Sequence, residues 1–275
     1  MEEITLNIKD YGYLGDQIGI VARITSVHRD RYGIVCDFGE GFARLKAREY
    51  YQDGEVFPTA GDFVTIDYIE NGDSRILSTL PRKTAFLRLD PGPIPKEQAV
   101  AANFDYVFIM QSLNRNFNPK RLERYLTLAW ESGAEPVVLL TKADLVEDYW
   151  PYLTQVERVA PGVNTHVVSA KTGYGLERLN RYLQPGKTVV FLGSSGVGKS
   201  SLVNALAGEE IMDVGGIREE DSRGRHTTTH RQLIRLENGV MIIDTPGMRE
   251  LGMWEVSTGL GDAFADVEQF LGKCQ

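Results

Sequence analysis

The segment that constrains this chain most is a glycine-rich loop between an apolar run and a predicted helix. The run covers residues 188–192, the loop residues 193–200, and the helix residues 199–207. In this order they form a phosphate loop, whose backbone N–H groups surround phosphate oxygens while Lys199 adds a cation and Ser200 a Mg²⁺ ligand. The loop therefore predicts a nucleoside-triphosphate site on an α/β sheet. The residues expected to contact nucleotide are Gly193, Ser194, Ser195, Gly196, Val197, Gly198, Lys199, Ser200 and Ser201.

Two further motifs indicate which base is bound. Thr141, Lys142 and Asp144 follow the predicted strand 136–140, and the segment 169–171 (Ser169, Ala170, Lys171) follows the predicted strand 165–168. Loops at the carboxyl ends of parallel strands meet at one edge of a sheet. There the Asp144 carboxylate can accept hydrogen bonds from guanine N1–H and the exocyclic amine. Lys142 can pack its stem over the base, and segment 169–171 can offer a backbone contact to the guanine oxygen. The alternative is an ATP-using kinase or ATPase in which Asp144 is only a turn residue.

A third group of residues points to magnesium and the γ-phosphate. Asp244 follows the apolar strand 240–243 and can hold a magnesium-bound water, and Gly247 can place an N–H near the γ-phosphate. The polar stretch 224–230 contains threonines at 227, 228 and 229, one of which can complete the magnesium shell. The sequence does not show which of the three threonines binds magnesium. We take Thr228, the middle one, as the candidate ligand and catalytic residue.

The chain divides into a β-rich part and an α/β part. Short predicted strands cover residues 18–25, 32–38, 41–45, 62–69 and 75–80, with turns at 39–41 and 71–73, and they predict a small antiparallel barrel of the OB type. Prolines at 91, 93 and 95 predict a linker. Apolar strands at 106–110, 136–140, 165–168, 188–192 and 240–243 then alternate with helices, one capped by Asn118 and Pro119 and closed by Gly133. The prediction is an OB-like barrel (1–90), a doubly wound, mainly parallel α/β domain (91–260) and a C-terminal helix (261–275).

Composition excludes several classes of protein. The start is acidic and no apolar run reaches about 18 residues, so neither a signal peptide nor a membrane span is expected, and we predict a cytoplasmic protein. Two distant cysteines, Cys36 and Cys274, provide no disulfide framework. The net charge of −8 argues against nonspecific nucleic-acid binding. Basic and acidic residues are nearly equal in number over 18–90, so RNA binding is permitted there.

The motifs are those of a small GTPase in a changed order. The base motifs at 141–144 and 169–171 precede the phosphate loop, the threonine loop and Asp244, so the domain is predicted to be circularly permuted. A permuted GTPase behind a barrel resembles the RsgA (YjeQ, EngC) family of ribosome small-subunit-dependent GTPases. The stretches 224–229 and 244–250 make that resemblance specific, and it covers about residues 18–273.

The resemblance implies a late assembly factor of the small (30S) ribosomal subunit that binds GTP or GDP with Mg²⁺ and hydrolyses GTP when the subunit stimulates it. It also implies that the barrel faces ribosomal RNA, with candidate phosphate contacts at Arg29, Arg31, Arg44, Lys46 and Arg48. Relatives carry a C-terminal zinc module, of which Cys274 could be a first ligand. Because further ligands do not follow in this sequence, we expect no bound zinc.

Two features qualify the mechanism. Thr141 stands where GTPases in general have Asn, which predicts the loss of an amide that braces the phosphate loop. Met248 occupies the position of the usual water-orienting glutamine, so slow intrinsic hydrolysis is expected, with His226 as the replacement. A GTP-gated RNA-binding module with incidental turnover remains the alternative function. We expect a monomer, because the sequence has no heptad run.

Overall fold

The computed structural model describes residues 6–46, 56–90, 96–212 and 231–244. Its first part is a closed five-stranded barrel, preceded by a short 3-10 helix at Ile8–Tyr11. The barrel strands are β1 Ile20–Val27, β2 Tyr32–Cys36, β3 Gly39–Leu45, β4 Phe63–Asp67 and β5 Ser74–Thr79. Small and branched apolar side chains fill the interior, among them Ile24, Ile34, Cys36, Val64 and Ile76. The predicted OB-type barrel is confirmed, and Cys36 lies buried in its core.

The pairing of the barrel strands differs from the sequence prediction in two places. Most pairs are antiparallel, but β3 runs parallel to β5, so the expectation of an all-antiparallel barrel was wrong. The turn at 71–73 is confirmed, with Asn71 in the left-handed region at φ 58°. The turn predicted at 39–41 was wrong, because Gly39 and Gly41 belong to β3 and the turn is formed by Asp37 and Phe38. At Gly39 and Gly41, no side chain covers the backbone of β3.

A hairpin that sequence reasoning missed follows the barrel. Strands β6 (Ala85–Asp90) and β7 (Lys96–Ala102) pair antiparallel across residues 91–95, the proline-rich segment, which lies outside the described residues. Phe86 of β6 stacks on Phe104 with ring centroids 4.8 Å apart, and both rings belong to a core shared with the helices of the α/β part. The predicted domain boundary at residue 90 therefore falls inside a hairpin that packs with the α/β half.

The second part is a mainly parallel sheet with helices on both faces. Its strands are β8 Tyr106–Ser112, β9 Glu135–Thr141, β10 Thr165–Val167, β11 Thr188–Gly193, β12 Gln232–Arg235 and β13 Met241–Asp244. The spatial order is β10-β9-β8-β11-β13-β12, and among these described strands only β12 runs antiparallel to its neighbour, β13. The helices are α1 Pro119–Glu131, α2 Trp150–Val159 and α3 Lys199–Ala207. The predicted doubly wound sheet is confirmed.

Helix boundaries follow local chemistry, and the two helix faces of the sheet have separate cores. The Asn118 side chain accepts the Arg121 N–H at 3.0 Å, so the predicted N-cap of α1 is confirmed. Side chains of α1 such as Leu122 pack with Ile109 on one face, and α3 places Leu202 against Phe108 on the other. In the described part of the chain, no helix has the length and apolar character required to cross a membrane.

Barrel and α/β sheet are continuous at one point, where β1 pairs with β12 at Ser26 and Gln232. Beside this junction Arg23 of β1 is buried, with 1% of its surface exposed. Its guanidinium donates to Tyr11 O, Gly61 O, Asn103 O and Thr188 Oγ1. Burial lowers the pKa of Arg23 to about 10, so the group stays charged at neutral pH. One buried cation thus holds backbone from both halves of the chain.

Replacing Arg23 with methionine is expected to lower the free energy of unfolding by about 3–5 kcal/mol, because buried oxygen acceptors lose their donor. The measurement is urea unfolding of the Arg23→Met variant. The matched control is Arg75→Met on an exposed face of the barrel. That control should change the free energy by no more than about 0.5 kcal/mol. Equal effects of the two substitutions would contradict the role given to Arg23.

Candidate nucleotide-binding site

The phosphate loop lies between the end of β11 and the start of α3, as the sequence predicted. Gly196 and Gly198 adopt positive φ angles of 70° and 102°, which turn the backbone sharply before the helix begins. The Val197 N–H donates to the Ser194 carbonyl at 3.3 Å, and the Val197 side chain is buried under the loop. The free N–H groups of the first turn of α3 and the positive end of its dipole therefore meet at this loop, which suits an anion.

Thr141 braces the phosphate loop, contrary to the sequence prediction. Its buried hydroxyl donates to the Val197 carbonyl at 2.7 Å, from the end of β9 to the middle of the loop. The expected loss of a brace was therefore wrong, since a threonine hydroxyl performs the task of the asparagine amide. The base motif and the phosphate loop are joined directly by this bond.

Thr141→Val is expected to lower the free energy of unfolding by about 1–2 kcal/mol, because the buried Val197 carbonyl loses its donor while the volume is conserved. The Kd for GDP should rise, since the loop is no longer held at its centre. Calorimetric titration and chemical unfolding measure the two effects. Thr141→Ser keeps the hydroxyl and should bind GDP like the parent. A valine variant that matches the serine variant would contradict the brace.

Lys142 also reaches the phosphate loop. It has a left-handed backbone at φ 60°, and its ammonium group donates to the Gly196 carbonyl at 2.7 Å. A side chain extended in this way lays its aliphatic stem along the cleft between the two motifs. The predicted stem contact with the base remains a prediction, and the bond to Gly196 is a second connection between the base motif and the loop.

Asp144 is held in an acceptor state. The Ser169 hydroxyl donates to Asp144 Oδ1 at 2.6 Å, and the Lys171 ammonium lies 4.0 Å from Oδ2. The hydrogen bond from Ser169, with the nearby lysines, lowers the pKa of Asp144 below its usual value. The carboxylate is therefore ionised at neutral pH and can accept two N–H donors from a base.

Ser169 acts through Asp144 and not through its own N–H. The Ser169 N–H donates to the Tyr174 carbonyl at 2.9 Å, and the Ser169 carbonyl accepts the Gly173 N–H at 2.9 Å. These bonds close the loop that carries Ala170 and Lys171, both of which line the cleft. A backbone contact to a guanine oxygen is therefore left to Ala170 or Lys171, which refines the sequence prediction.

Lys199 and Asp244 are neighbours in space although they lie on different elements. The Lys199 ammonium donates to Asp244 Oδ1 at 2.6 Å, which brings the end of β13 to the start of α3. Ser200 follows in the first turn of that helix. A hydroxyl and a carboxylate beside a phosphate loop are oxygen donors of the kind that Mg²⁺ prefers. His226, Thr228, Gly247 and Cys274 lie outside the described residues, so their roles stay predictions.

Part of the predicted set lines one cleft of about 280 Å³, whereas Ser169, Lys199, Ser200, Asp244 and residues 193–197 are not among its lining residues. Those that line it are Thr141, Lys142, Asp144, Ala170, Lys171, Gly198 and Ser201. Sequence reasoning missed three apolar lining residues, Leu145, Val168 and Leu202. Leu145 and Val168 are immediate neighbours of the motifs, and this adjacency was the available signal. They give the cleft an apolar wall suited to a flat base, with the phosphate loop at its other end.

Sequence comparison identifies the family. The profile of the RsgA GTPase family matches residues 79–254, which include every motif of the cleft. The chain belongs to the RsgA GTPase family. One RsgA relative, the small ribosomal subunit biogenesis GTPase RsgA 1 of Listeria monocytogenes serovar 1/2a, is 50% identical over 254 residues, covering 92% of this chain and 72% of the relative. RsgA 2 of Lactiplantibacillus plantarum is 43% identical over 260 residues, covering 93% of this chain and 72% of the relative.

Two crystal structures support the RsgA fold. YjeQ from Thermotoga maritima superposes with a TM-score of 0.64 at 28% identity, covering 84% of this chain and 76% of that chain. YloQ, described as a circularly permuted GTPase, has a TM-score of 0.61 at 22% identity, covering 96% and 84% of the two chains. The predicted permutation is confirmed, since the strand before the phosphate loop, β11, follows β8, β9 and β10 in the chain.

Proposed function

We propose that this chain binds GTP with Mg²⁺ and hydrolyses it in the biogenesis of the small ribosomal subunit. The observation that carries the proposal is the Thr141–Val197 hydrogen bond of 2.7 Å, which fixes the base motif and the phosphate loop as one site. The cleft beside it has an ionised carboxylate at one end and helix N–H groups at the other. A guanine base and a triphosphate need those two kinds of partner.

Selection of guanine rests on the charge of Asp144. Guanine presents N1–H and an exocyclic amine side by side, whereas adenine has an acceptor at N1. A carboxylate whose pKa is lowered by the Ser169 hydroxyl pairs with two donors and repels an acceptor. Because Ser169 is buried, its bond also fixes the direction of the carboxylate. Discrimination against ATP is the expected consequence.

Catalysis would rest on charge compensation at the phosphates. Lys199 and the N–H groups of the loop would face the phosphates, where negative charge accumulates in phosphoryl transfer. Ser200 and Asp244 are the described residues that would hold magnesium, directly or through water, with Thr228 as the proposed third contributor. Bound magnesium would neutralise charge on the β- and γ-phosphates. We assign the positioning of the attacking water to His226.

The proposed partner is the small ribosomal subunit, named in the descriptions of the relatives, and a cytoplasmic location would follow from it. Arg29 and Arg31 lie on the loop between β1 and β2 and are the stronger candidates for RNA phosphates. Arg31 stacks over the Phe42 ring at 3.9 Å, so its guanidinium is held at the surface. Arg44 is a weaker candidate, because Asp73 lies 2.5 Å and Asp30 3.9 Å from its guanidinium nitrogens.

Pelleting with purified ribosomal subunits tests the partner. The chain should sediment with small subunits in the presence of a non-hydrolysable GTP analogue, and much less with GDP, because nucleotide state controls the surface read by the partner. Large subunits are the control for nonspecific adhesion. Equal sedimentation with both subunits, or sedimentation that does not depend on which nucleotide is bound, would contradict the proposal.

A further inference from the structure

A groove of about 470 Å³ opens on the barrel, apart from the nucleotide cleft. It lies between the first half of β3 and the turn that joins β4 to β5. Ile34 and Cys36 from the barrel interior form its floor, and Tyr68 and Ile69 form part of one wall. The volume falls within the range of about 300–1,000 Å³ that is usual for binding sites.

One side of the groove is an unpaired strand edge. β3 pairs with β2 along residues 39–43, but on its other side β5 meets only residues 43–45. Within the described ranges, no strand pairs with the β5-facing edge of residues 39–42. Backbone groups on such an edge are a template for an added strand.

The edge is accessible because side chains are missing from it. A Cβ atom added at Gly39 or Gly41 would meet no other atom within 4 Å. Beside it Phe38, 61% exposed, stacks on Tyr68 with ring centroids 4.8 Å apart. Bare backbone flanked by the exposed Phe38 ring and the half-buried Tyr68 ring suits an extended peptide with apolar side chains.

The groove is also acidic. Glu40, Glu70 and Asp73 line it, and none of the described lining residues is Lys or Arg. Arg44 compensates Asp73 at 2.5 Å, whereas Glu40 and Glu70 are exposed and have no ion pair within the part of the chain that the structure describes. The negative electrostatic potential of these carboxylates repels RNA phosphates and attracts ammonium and guanidinium groups.

We propose that this groove binds an extended peptide segment of a protein partner, rich in lysine or arginine, which adds a strand to the free edge of β3. Side chains alternate along a strand, so one set faces the Ile34 floor while the other carries its cations to Glu40 and Glu70. The inference goes beyond the proposed GTPase function, because it gives the barrel a protein-binding surface. Phe42, over which Arg31 stacks, lies on the rim of this groove, so the peptide surface borders the loop of Arg29 and Arg31.

Fluorescence anisotropy of the full chain with a labelled hexapeptide of alternating valine and lysine tests the proposal. Saturable binding is expected, and a hexapeptide with glutamate in place of lysine should not bind. A Cβ atom at Gly41 meets no other atom within 4 Å, so Gly41→Val should narrow the groove and raise the Kd for the lysine peptide by about tenfold or more. An unchanged melting temperature and unchanged GDP binding would show that this variant is folded. A parent chain that binds neither peptide, or a Gly41→Val variant that binds like the parent, overturns the proposal.

Charge variants distinguish peptide binding in the groove from general electrostatic attraction to a negatively charged protein. Glu70→Gln should raise the Kd for the lysine peptide about threefold to fivefold, whereas Asp67→Asn, an equal charge change on β4 outside the groove, should leave it unchanged. Equal effects of both variants overturn the proposal. It also fails if a hexauridylate probe competes with the peptide and loses its binding in Gly41→Val, because the groove would then be a nucleic-acid site.

Discussion

Replacing Lys199 with alanine is expected to reduce kcat/KM for GTP hydrolysis by about 10³-fold. The Lys199 ammonium is the cation of the phosphate loop, and it lies 2.6 Å from Asp244 at the end of β13. Its loss removes positive charge from the place where the transferred phosphoryl group develops negative charge. It also leaves the Asp244 carboxylate, with 17% of its side chain exposed, without its partner. Single-turnover hydrolysis with excess enzyme measures the effect on chemistry.

Lys187→Ala is the matched control. Lys187 also pairs with a carboxylate, Asp105, at 2.8 Å. It precedes β11, however, and so lies at the end of this strand opposite to the phosphate loop. Hydrolysis by this variant should stay within about threefold of the parent, because a half-buried ion pair far from the phosphates contributes little to the chemical step. A comparable loss in the two lysine variants would show that stability, and not phosphate chemistry, explains the effect of Lys199.

Asp144→Asn is expected to weaken GDP binding by about 10²–10³-fold and to favour xanthosine diphosphate. In the parent, the Ser169 hydroxyl lies 2.6 Å from Asp144 Oδ1. The asparagine amide oxygen can still accept this hydrogen bond, so the loop geometry should be preserved. The NH₂ group of asparagine, however, is a donor, and so is the exocyclic amine of guanine. The two groups cannot form a hydrogen bond with each other. Xanthine has a carbonyl at that position and restores the pair. Competition between GDP and xanthosine diphosphate for a fluorescent nucleotide measures the change.

Asp148→Asn controls for the loss of one negative charge near the cleft. Asp148 is exposed and accepts the Trp150 N–H at 2.9 Å, a bond that asparagine can also accept. GDP affinity should not change in this variant. If Asp144→Asn weakened GDP and xanthosine diphosphate alike, Asp144 would be a structural residue and the guanine assignment would fail.

Much of the α/β part could be predicted because its signals are local. The phosphate loop sets the start of α3 and Gly208 follows its last residue, so the predicted helix 199–207 is the observed Lys199–Ala207. Asn118 and Pro119 likewise fix the start of α1. Apolar runs located the parallel strands to within one or two residues, because buried strands need unbroken hydrophobic sequence.

The features that sequence reasoning missed depend on contacts between distant residues. The Thr141 hydroxyl finds its acceptor 56 positions later in the chain, so no local pattern reveals the brace. Nothing in the local sequence distinguishes Arg23 from a surface cation on a strand, because two of its acceptors, Asn103 and Thr188, come from the other half of the chain. Gly39 and Gly41 have the composition of a turn, and only the pairing of β2 with β3 shows that they continue a strand.

Steady-state GTP hydrolysis, measured with purified small ribosomal subunits and without them, distinguishes a subunit-triggered GTPase from a binding module. We expect slow intrinsic turnover, stimulation by small subunits of about tenfold or more, and no stimulation by large subunits. ATP should not be hydrolysed in either condition. Subunits that bind the chain without accelerating turnover, or equal hydrolysis of ATP and GTP, would contradict a subunit-triggered GTPase.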